Sequence, residues 1–137
     1  MAEDCLFCKI INGDIPSFKL YEDDGYVVIL DKFPGTPGHA LIIPKEHAEN
    51  VTTLSDTACA GVIPLAKRVT RALESAMSPI GVNIVQNNGA EVGQSVMHYH
   101  LHVIPRFHGD NYGLLWKPSE ATDEKLAELK AAITAFM

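Results

Sequence analysis

The chain has 137 residues, of which 47% are hydrophobic and 20% charged, and a formal net charge of −6 at pH 7. These values are typical of one soluble globular domain, and the acidic balance disfavours a nucleic-acid-binding scaffold while leaving room for a locally positive site that binds small anions. No stretch reaches the roughly 18 apolar residues of a membrane span and no signal peptide is recognisable, so we expect a cytoplasmic protein without nucleic-acid or membrane partners.

The first predicted element is a short helix over residues 5–12, which carries a Cys-x-x-Cys pair. Cys5 and Cys8 could be half of a zinc site, a redox pair or two packed thiols. A redox motif of the thioredoxin kind would follow a strand, and the sequence predicts none before this pair. A disulfide is disfavoured in the cytosol, and zinc would need two further ligands from distant histidines.

Extended segments follow the first helix. They are a strand over 18–21, a turn over 22–25, a stronger strand over 26–31 and a strand over 39–43. β-branched and aromatic residues favour the second of these strands, and Pro44 closes the third. Asp31 at a strand end can be a turn former, and His39 at a strand start can be a polar edge residue.

A long amphipathic helix is predicted over residues 55–77. Ser55 is suited to cap its N-terminus, and Cys59 is most simply a small core residue. Pro64 is anomalous, since an interior proline costs about 3 kcal/mol, and the helix either bends there or starts with a separate turn and a half. The apolar residues that recur every three or four positions are Val62, Leu65, Ala66, Val69, Leu73 and Ala76.

A strand over 81–87 ends at Asn87 and leads into a polar loop that contains Gly93, Gln94 and Ser95. Glycine lets the backbone approach a ligand closely, and Gln, Ser and exposed backbone N–H groups are donors to anions. The loop therefore indicates a phosphate site, with an ordinary hairpin connection as the alternative.

Three histidines, His98, His100 and His102, occupy alternate positions of residues 96–105. If this run is a strand, the three imidazoles share one face, and Pro105 ends the pairing. One interpretation is that the three histidines form a metal site or are simply solvated. Nucleophilic catalysis is the other, because an imidazole with a pKa of about 6.5 is largely neutral at pH 7 and attacks without a separate strong base. The polar loop upstream favours catalysis.

The chain is predicted to finish with a helix over residues 119–136, whose acidic residues suit its N-terminus. His108 is a loop histidine, more often solvated than catalytic, and Leu114, Leu115 and Trp116 are either core residues or partner contacts. The elements together predict an α+β fold in which helices cover an antiparallel sheet.

The run GQSVMHYHLHVIP resembles the signature of the histidine triad (HIT) family, His-x-His-x-His-x-x with apolar x, here Tyr99, Leu101, Val103 and Ile104. CLFCKIINGDIPS, LDKFPGTPGHALIIPKEH and NNG extend the resemblance over about residues 5–117. It implies a single HIT-like domain over 1–137, with a five-stranded antiparallel sheet, one long central helix, a short N-terminal helix and a helical tail over 118–137. It also implies a homodimer.

The resemblance implies a nucleotide-binding hydrolase or transferase that cleaves the α-phosphate bond of purine nucleoside phosphoramidates or dinucleoside polyphosphates. His100 would attack the α-phosphorus while its other nitrogen donates to the carbonyl of His98, and water would hydrolyse the nucleotidyl-histidine. His102, Gln94 and backbone N–H groups would hold the phosphoryl oxygens, with Ser95 near the leaving atom. No nucleotide-bound metal is required.

Further nucleotide contacts carry over from the family. Asp31 would accept hydrogen bonds from the ribose hydroxyls, His39 would support the triad electrostatically, and Asn87 would position the phosphate or leaving group. Many relatives have an apolar residue directly after this aspartate. This chain instead has Lys32 and then Phe33, which could stack on the base.

Similar bacterial proteins carry zinc on the Cys-x-x-Cys pair. This implies a structural zinc ion on Cys5, Cys8 and His98, with His47 as the fourth ligand and His39 as its competitor. Two other functions remain open, namely a non-catalytic nucleotide-binding dimeric regulator and a metal site that uses all three histidines of the triad.

Overall fold

The computed structural model describes residues 2–137, which form three α-helices, one short 3₁₀ turn and a five-stranded sheet. The strands are β1 (Lys19–Glu22), β2 (Tyr26–Leu30), β3 (Ala40–Pro44), β4 (Gly81–Val85) and β5 (Leu101–Arg106). The helices are α1 (Leu6–Asn12), α2 (Asp56–Met77) and α3 (Asp123–Thr134), and the 3₁₀ turn is Ala90–Val92. The predicted α+β architecture is confirmed.

The sheet has the order β1-β2-β3-β5-β4, with antiparallel pairing throughout. Side chains of a strand alternate between two faces, and directly paired residues share a face. Val28, Ile42 and Val103 pack in the cluster beneath α2, whereas Val27 and Leu41 pack in the cluster beneath α1. The pairing of Leu41 with His102 therefore places His102 on the α1 face.

Helix α1 is a single short amphipathic element held by its ends. The Cys5 thiol accepts a hydrogen bond from the Cys8 N–H at the N-terminus. At the C-terminus Gly13 takes a left-handed φ of 85°, which glycine adopts without steric cost, and its N–H bonds to the carbonyl of Ile10. Phe7 and Ile10 are buried against the sheet.

Helix α2 is continuous from Asp56 to Met77, so Pro64 neither divides it nor separates its first turns. Pro64 and Ala60 both lie on the exposed side, and the carbonyl of Ala60 that loses its intrahelical donor can therefore bond to water. Ser55 caps the helix as predicted, accepting from the N–H of Ala58. The predicted apolar stripe is buried except for Ala76, which lies exposed in the last turn.

Strand β5 differs from its predicted range of 96–105. It begins at Leu101, while Val96–His98 forms a bend, so His98 and His100 precede the strand. Pro105 stays within the pairing, opposite Val82. Its carbonyl accepts from the Thr36 hydroxyl and so points to the β3 side, where pairing has already stopped at Val103. The missing N–H of Pro105 therefore costs no ladder hydrogen bond.

The C-terminal segment lies apart from the core. Leu115 and Trp116 are 97% and 82% exposed, so these two are not core residues. Helix α3 begins at Asp123, four residues later than predicted, with Thr122 as its N-cap and acidic residues in its first turn, and it has no buried residue. Across residues 2–137, no helix has both the length and the apolar character needed to cross a membrane.

Candidate active site

The triad histidines lie on the α1 side of the sheet but belong to two neighbouring clusters, one of histidines and one around the cysteine pair. The rings of His100 and His102 have centroids 4.9 Å apart. Phe7 of α1 presses its ring edge-to-face against His100, at 4.9 Å, and against His98, at 6.0 Å. The His98 ring points towards the cysteine pair, because its backbone lies in the bend before β5.

His100 is held in one tautomer by the backbone. Its Nδ1 lies 2.8 Å from the carbonyl oxygen of His98, and a carbonyl can only accept, so Nδ1 carries the proton. The other nitrogen, Nε2, keeps its lone pair. Burial lowers the pKa of His100 below its ordinary value, against the weaker opposing effects of the His98 carbonyl and Asp31. The ring is therefore neutral at pH 7, with a nucleophilic nitrogen available.

His102 is held in the opposite tautomer by a chain of hydrogen bonds. The N–H of Gly35 donates to His39 Nδ1 at 2.9 Å, so neutral His39 carries its proton on Nε2. That nitrogen lies 2.8 Å from His102 Nδ1, which must accept. The proton of His102 is then on Nε2, free to donate to a ligand. Burial lowers the pKa of His39 and, together with repulsion from the neighbouring histidines, the pKa of His102 to about 4.

Asp31 directly follows β2, and its carboxylate contacts both the following turn and a histidine. One carboxylate oxygen accepts the N–H of Phe33 at 2.9 Å, and the other lies 3.6 Å from His39 Nε2. Lys32 and Phe33 are both exposed, Phe33 to 86%. The segment thus places a carboxylate beside His39 and leaves a cation and an aromatic ring exposed to solvent.

The loop before the triad is shaped by Gln94, which is 2% exposed. Its side-chain amide donates to the carbonyls of Glu49 and Val96, at 2.6 and 3.1 Å, and its oxygen accepts the N–H of Gly89. Its own backbone N–H also bonds to Gly89. The expectation that Gln94 donates to a phosphate is therefore wrong, because both of its side-chain N–H groups are already bonded within the protein.

The remaining loop residues are open to solvent. Ser95 is exposed and, with His47, lines a cavity of about 510 Å³ between the start of α1 and the loop. Asn87 bonds through Nδ2 to the carbonyl of Gly93, at 3.4 Å. Gly93 has a φ of 108°, which only glycine adopts readily. Ser95 therefore borders the cavity beside His47, and Asn87 bonds within the loop.

Cys5, Cys8, His47 and His98 form a cluster whose ligand atoms all lie within 4.8 Å of one another. The Sγ–Nδ1 contacts are 3.4 to 3.6 Å, and the two Nδ1 atoms are 3.1 Å apart. Around a tetrahedral zinc ion such atoms stand about 3.3–3.6 Å apart. The donor set and its spacing therefore fit a zinc ion.

The environment of His98 prepares it as a ligand. Its Nε2 donates to the carbonyl of Pro44 at 2.8 Å, so the neutral ring presents the lone pair of Nδ1 to the cysteines. Burial lowers the pKa of His98, which keeps the ring neutral. His39 lies with Asp31 and His102 instead, so His47 is the histidine that completes the cysteine cluster.

Two contributors have no signature in the sequence. The N–H of Gly35 sets the proton position on His39, and a backbone donor leaves no trace in the residue type. Phe7 packs against two triad rings, but in the sequence it is one apolar residue of a short helix. A single metal site on all three triad histidines is also excluded, since residues 2–137 bring no ligand atoms of those three into one cluster.

This fold and this histidine cluster define a known class of protein. Residues 12–109 match the family model described as the HIT domain, and the chain belongs to that family. A HIT family protein of Bacillus subtilis has a similar structure, with a TM-score of 0.93 and 40% identity over 98% of each chain.

Two further relatives are similar to this chain. An adenosine 5′-monophosphoramidase of Schizosaccharomyces pombe is 47% identical over 110 residues, which are 80% of this chain and 79% of that protein. The structure of a Zn-bound histidine triad family protein of Mycobacterium smegmatis is 36% identical, with a TM-score of 0.76, and the match covers 94% of this chain and 97% of that one.

Proposed function

We propose that the protein hydrolyses the α-phosphate bond of purine nucleoside phosphoramidates, or of dinucleoside polyphosphates, with His100 as its nucleophile. The observation that carries this proposal is the 2.8 Å hydrogen bond from His100 Nδ1 to the His98 carbonyl, which leaves Nε2 unprotonated beside His102. The name of the S. pombe relative supports the phosphoramidate class.

The reaction would proceed in two displacements. Nε2 of His100 attacks the α-phosphorus, the new N–P bond forms, and the bond to the leaving amine or nucleotide breaks as that group takes a proton. Water then attacks the same phosphorus, the bond to His100 breaks, and a nucleoside monophosphate leaves with the ring regenerated. His102 would donate from Nε2 to a phosphoryl oxygen as negative charge develops.

Other residues would bind the rest of the nucleotide. Asp31 would accept from the ribose hydroxyls through its carboxylate, and the exposed Phe33 would stack on the purine. Asn87 and Ser95, at the loop edge, would contact the phosphate and the leaving atom. Lys32, which is exposed in the segment of Asp31 and Phe33, would add a positive charge for the nucleotide. Gly93 lets the loop backbone approach the phosphate, and His39 acts through His102.

A structural zinc ion is part of the proposal. Cys5, Cys8, His47 and His98 would hold it, and the spacing of their ligand atoms supports this assignment. Bound zinc would tie α1 to the segments that carry His47 and His98. The Zn-bound relative of M. smegmatis gives further support.

The test is a substrate panel of adenosine and guanosine 5′-phosphoramidates against dinucleoside polyphosphates. We expect His100→Ala to lose turnover by about 10³-fold or more, while AMP binding by calorimetry and the circular dichroism spectrum persist. His108→Ala, at an exposed loop histidine, is the matched control and should retain activity. Undiminished turnover by His100→Ala would overturn the proposal, and binding without turnover by the wild type would favour a non-catalytic nucleotide-binding regulator.

A further inference from the structure

His98 belongs to two clusters at once. Its ring nitrogen Nδ1 faces the thiols of Cys5 and Cys8, at 3.4 and 3.6 Å. Its backbone carbonyl accepts the Nδ1–H of His100, at 2.8 Å. One residue, with no exposed surface, therefore connects the candidate metal cluster to the ring that we propose as the nucleophile.

The carbonyl of His98 is not fixed by the sheet. Residues 96–98 form a bend, and the ladder of β5 begins only at Leu101. Two hydrogen bonds hold the backbone next to this carbonyl. His98 Nε2 donates to the carbonyl of Pro44, and the N–H of Tyr99 donates to the carbonyl of Ala48 at 2.7 Å. Holding the His98 ring at both nitrogens restricts its side-chain and backbone torsions, and hence the direction of its carbonyl.

A second connection runs through α1. This helix has seven residues, and a helix this short is unstable without its anchors. Cys5 caps it and Cys8 lies in its first turn, so closing the cluster fixes the helix. Between the two cysteines, Phe7 presses its ring edge on His100, with centroids 4.9 Å apart.

We propose that closure of the Cys5–Cys8–His47–His98 cluster around a metal ion positions the His100 ring for attack, with His98 and Phe7 as the positioning residues. The carbonyl of His98 fixes the tautomer of the His100 ring and holds it at Nδ1. Phe7 restricts the orientation of the same ring by packing against it. The metal cluster then contributes to catalysis as well as to stability, without contact with the substrate. The role of the positioned ring in attack rests on the proposed function, whereas the contacts of His98 and Phe7 with His100 are independent of it.

The experiment compares zinc-loaded and chelator-stripped forms of the full chain labelled with nitrogen-15 at histidine. We expect one equivalent of zinc to shift the His100 Nδ1–H resonance and to slow its exchange with water. In the same preparations we expect the stripped form to lose about ten- to a hundredfold in kcat, the range found when groups that orient functional side chains are removed, with a smaller change in KM.

Two variants keep the test decisive if the stripped chain unfolds. His47→Gln removes the exposed ligand and leaves the three buried ones, so its fold is expected to persist, with the His100 resonance moved towards the stripped position. Cys59→Ser changes a thiol outside the cluster and should leave the resonance where it is in the zinc-loaded wild type.

Each outcome decides the proposal. An identical His100 resonance and exchange rate in folded His47→Gln and the zinc-loaded wild type would overturn it, and so would the absence of bound zinc by elemental analysis. A resonance that responds to zinc in a protein that turns over no phosphoramidate or dinucleoside polyphosphate would support the coupling and refute the proposed function.

Discussion

Three histidines of the site differ in what they can do, although all are neutral imidazoles. His100 must accept or attack at Nε2, because its Nδ1–H bonds to the His98 carbonyl. His102 must donate at Nε2, because its Nδ1 accepts from His39. His39 in turn is fixed by the N–H of Gly35. Backbone groups thus pair a ring that has a free lone pair on Nε2, His100, with a ring that donates from Nε2, His102.

This arrangement makes His39 a positioning residue, and we predict that His39→Leu lowers kcat by about ten- to a hundredfold. The loss should be smaller than the 10²–10³-fold that removal of a transition-state donor costs, because His102 itself remains. His39→Gln should recover part of the rate, since its amide both accepts from Gly35 and donates to His102. The measurement is kcat and KM on adenosine 5′-phosphoramidate over a range of pH. Equal kcat for His39→Leu and the wild type would contradict the role.

Residue identities along the triad were predictable, but hydrogen-bond partners were not. The alternation of His98, His100 and His102 and the Cys-x-x-Cys pair are visible in the sequence, and the structure places them in adjacent clusters. Gln94 was expected at the phosphate, yet it is buried among backbone carbonyls. An amide side chain suits either role equally, and only the fold of the surrounding loop decides between them.

Among the elements, local sequence signals predicted most of the fold and failed where tertiary contacts override them. The 3–4 spacing predicted α2, β-branched and aromatic residues predicted β2, and Pro44 marked the end of β3, each to within a residue or two. The triad segment alternates over 96–105, but only Leu101–Arg106 is paired. The His98 ring faces the cysteines and the N–H of Tyr99 bonds to the Ala48 carbonyl, so the alternation of residues 96–100 does not produce a paired strand.

The contact between α2 and β2 carries a prediction of its own. A Cβ at Gly61 would lie 2.3 Å from the hydroxyl oxygen of Tyr26, which is held by its bond to the Ala58 carbonyl. Gly61→Ala should therefore destabilise the fold by about 1–3 kcal/mol through overpacking, although helix propensity alone favours alanine by about 1 kcal/mol. Urea unfolding measures the change.

The matched control is Gly61→Ala in a Tyr26→Phe background. Removing the hydroxyl removes the closest clash, so alanine should cost less there than in the wild type. The ring atoms of residue 26 would still lie within about 3 Å of the new Cβ, which leaves part of the cost. The same destabilisation in both backgrounds would mean that the hydroxyl is not the obstacle.

At the scale of the whole molecule, the sheet separates two functions of the fold. One face packs on α2 and forms the larger hydrophobic core, and the other carries α1, the cysteine cluster and the histidines. The strand order β1-β2-β3-β5-β4 brings His39, directly before β3, beside His102 on the neighbouring strand β5, although the two are 63 residues apart in the chain. No local pattern in the sequence specifies that pairing.

The buried histidines also predict how stability depends on pH. The pKa of His102 is lowered to about 4 in the folded protein from an ordinary value near 6.5, so between these values the unfolded chain binds more protons. The contribution of neutral His102 to the free energy of unfolding is therefore fully present above about pH 6.5 and is lost as the pH decreases towards 4. The full shift corresponds to about 3 kcal/mol, and the partial exposure of His102 makes the contribution smaller.

Urea unfolding in the presence of a chelator, at pH values from 7 down to 4.5, measures this dependence without a contribution from metal release. His102→Gln should flatten the slope in that window, while His108→Gln, at an exposed loop position, should leave it unchanged. The burial of His39, His98 and His100 lowers their pKa in the same direction, so part of the slope persists in His102→Gln. An unaltered slope in that variant would contradict the assignment.

Capture of the covalent intermediate tests the nucleophilic role of His100 most directly. Adenosine 5′-phosphoramidate with radioactive phosphorus is mixed with the enzyme, the reaction is quenched in alkaline denaturant, which preserves a phosphorus–nitrogen bond to histidine, and the digested peptides are sequenced by mass spectrometry. We predict a nucleotidyl group on His100 during turnover, absent once substrate is exhausted and absent in His100→Asn. Label on another residue, or turnover with no labelled protein at any time, would contradict it.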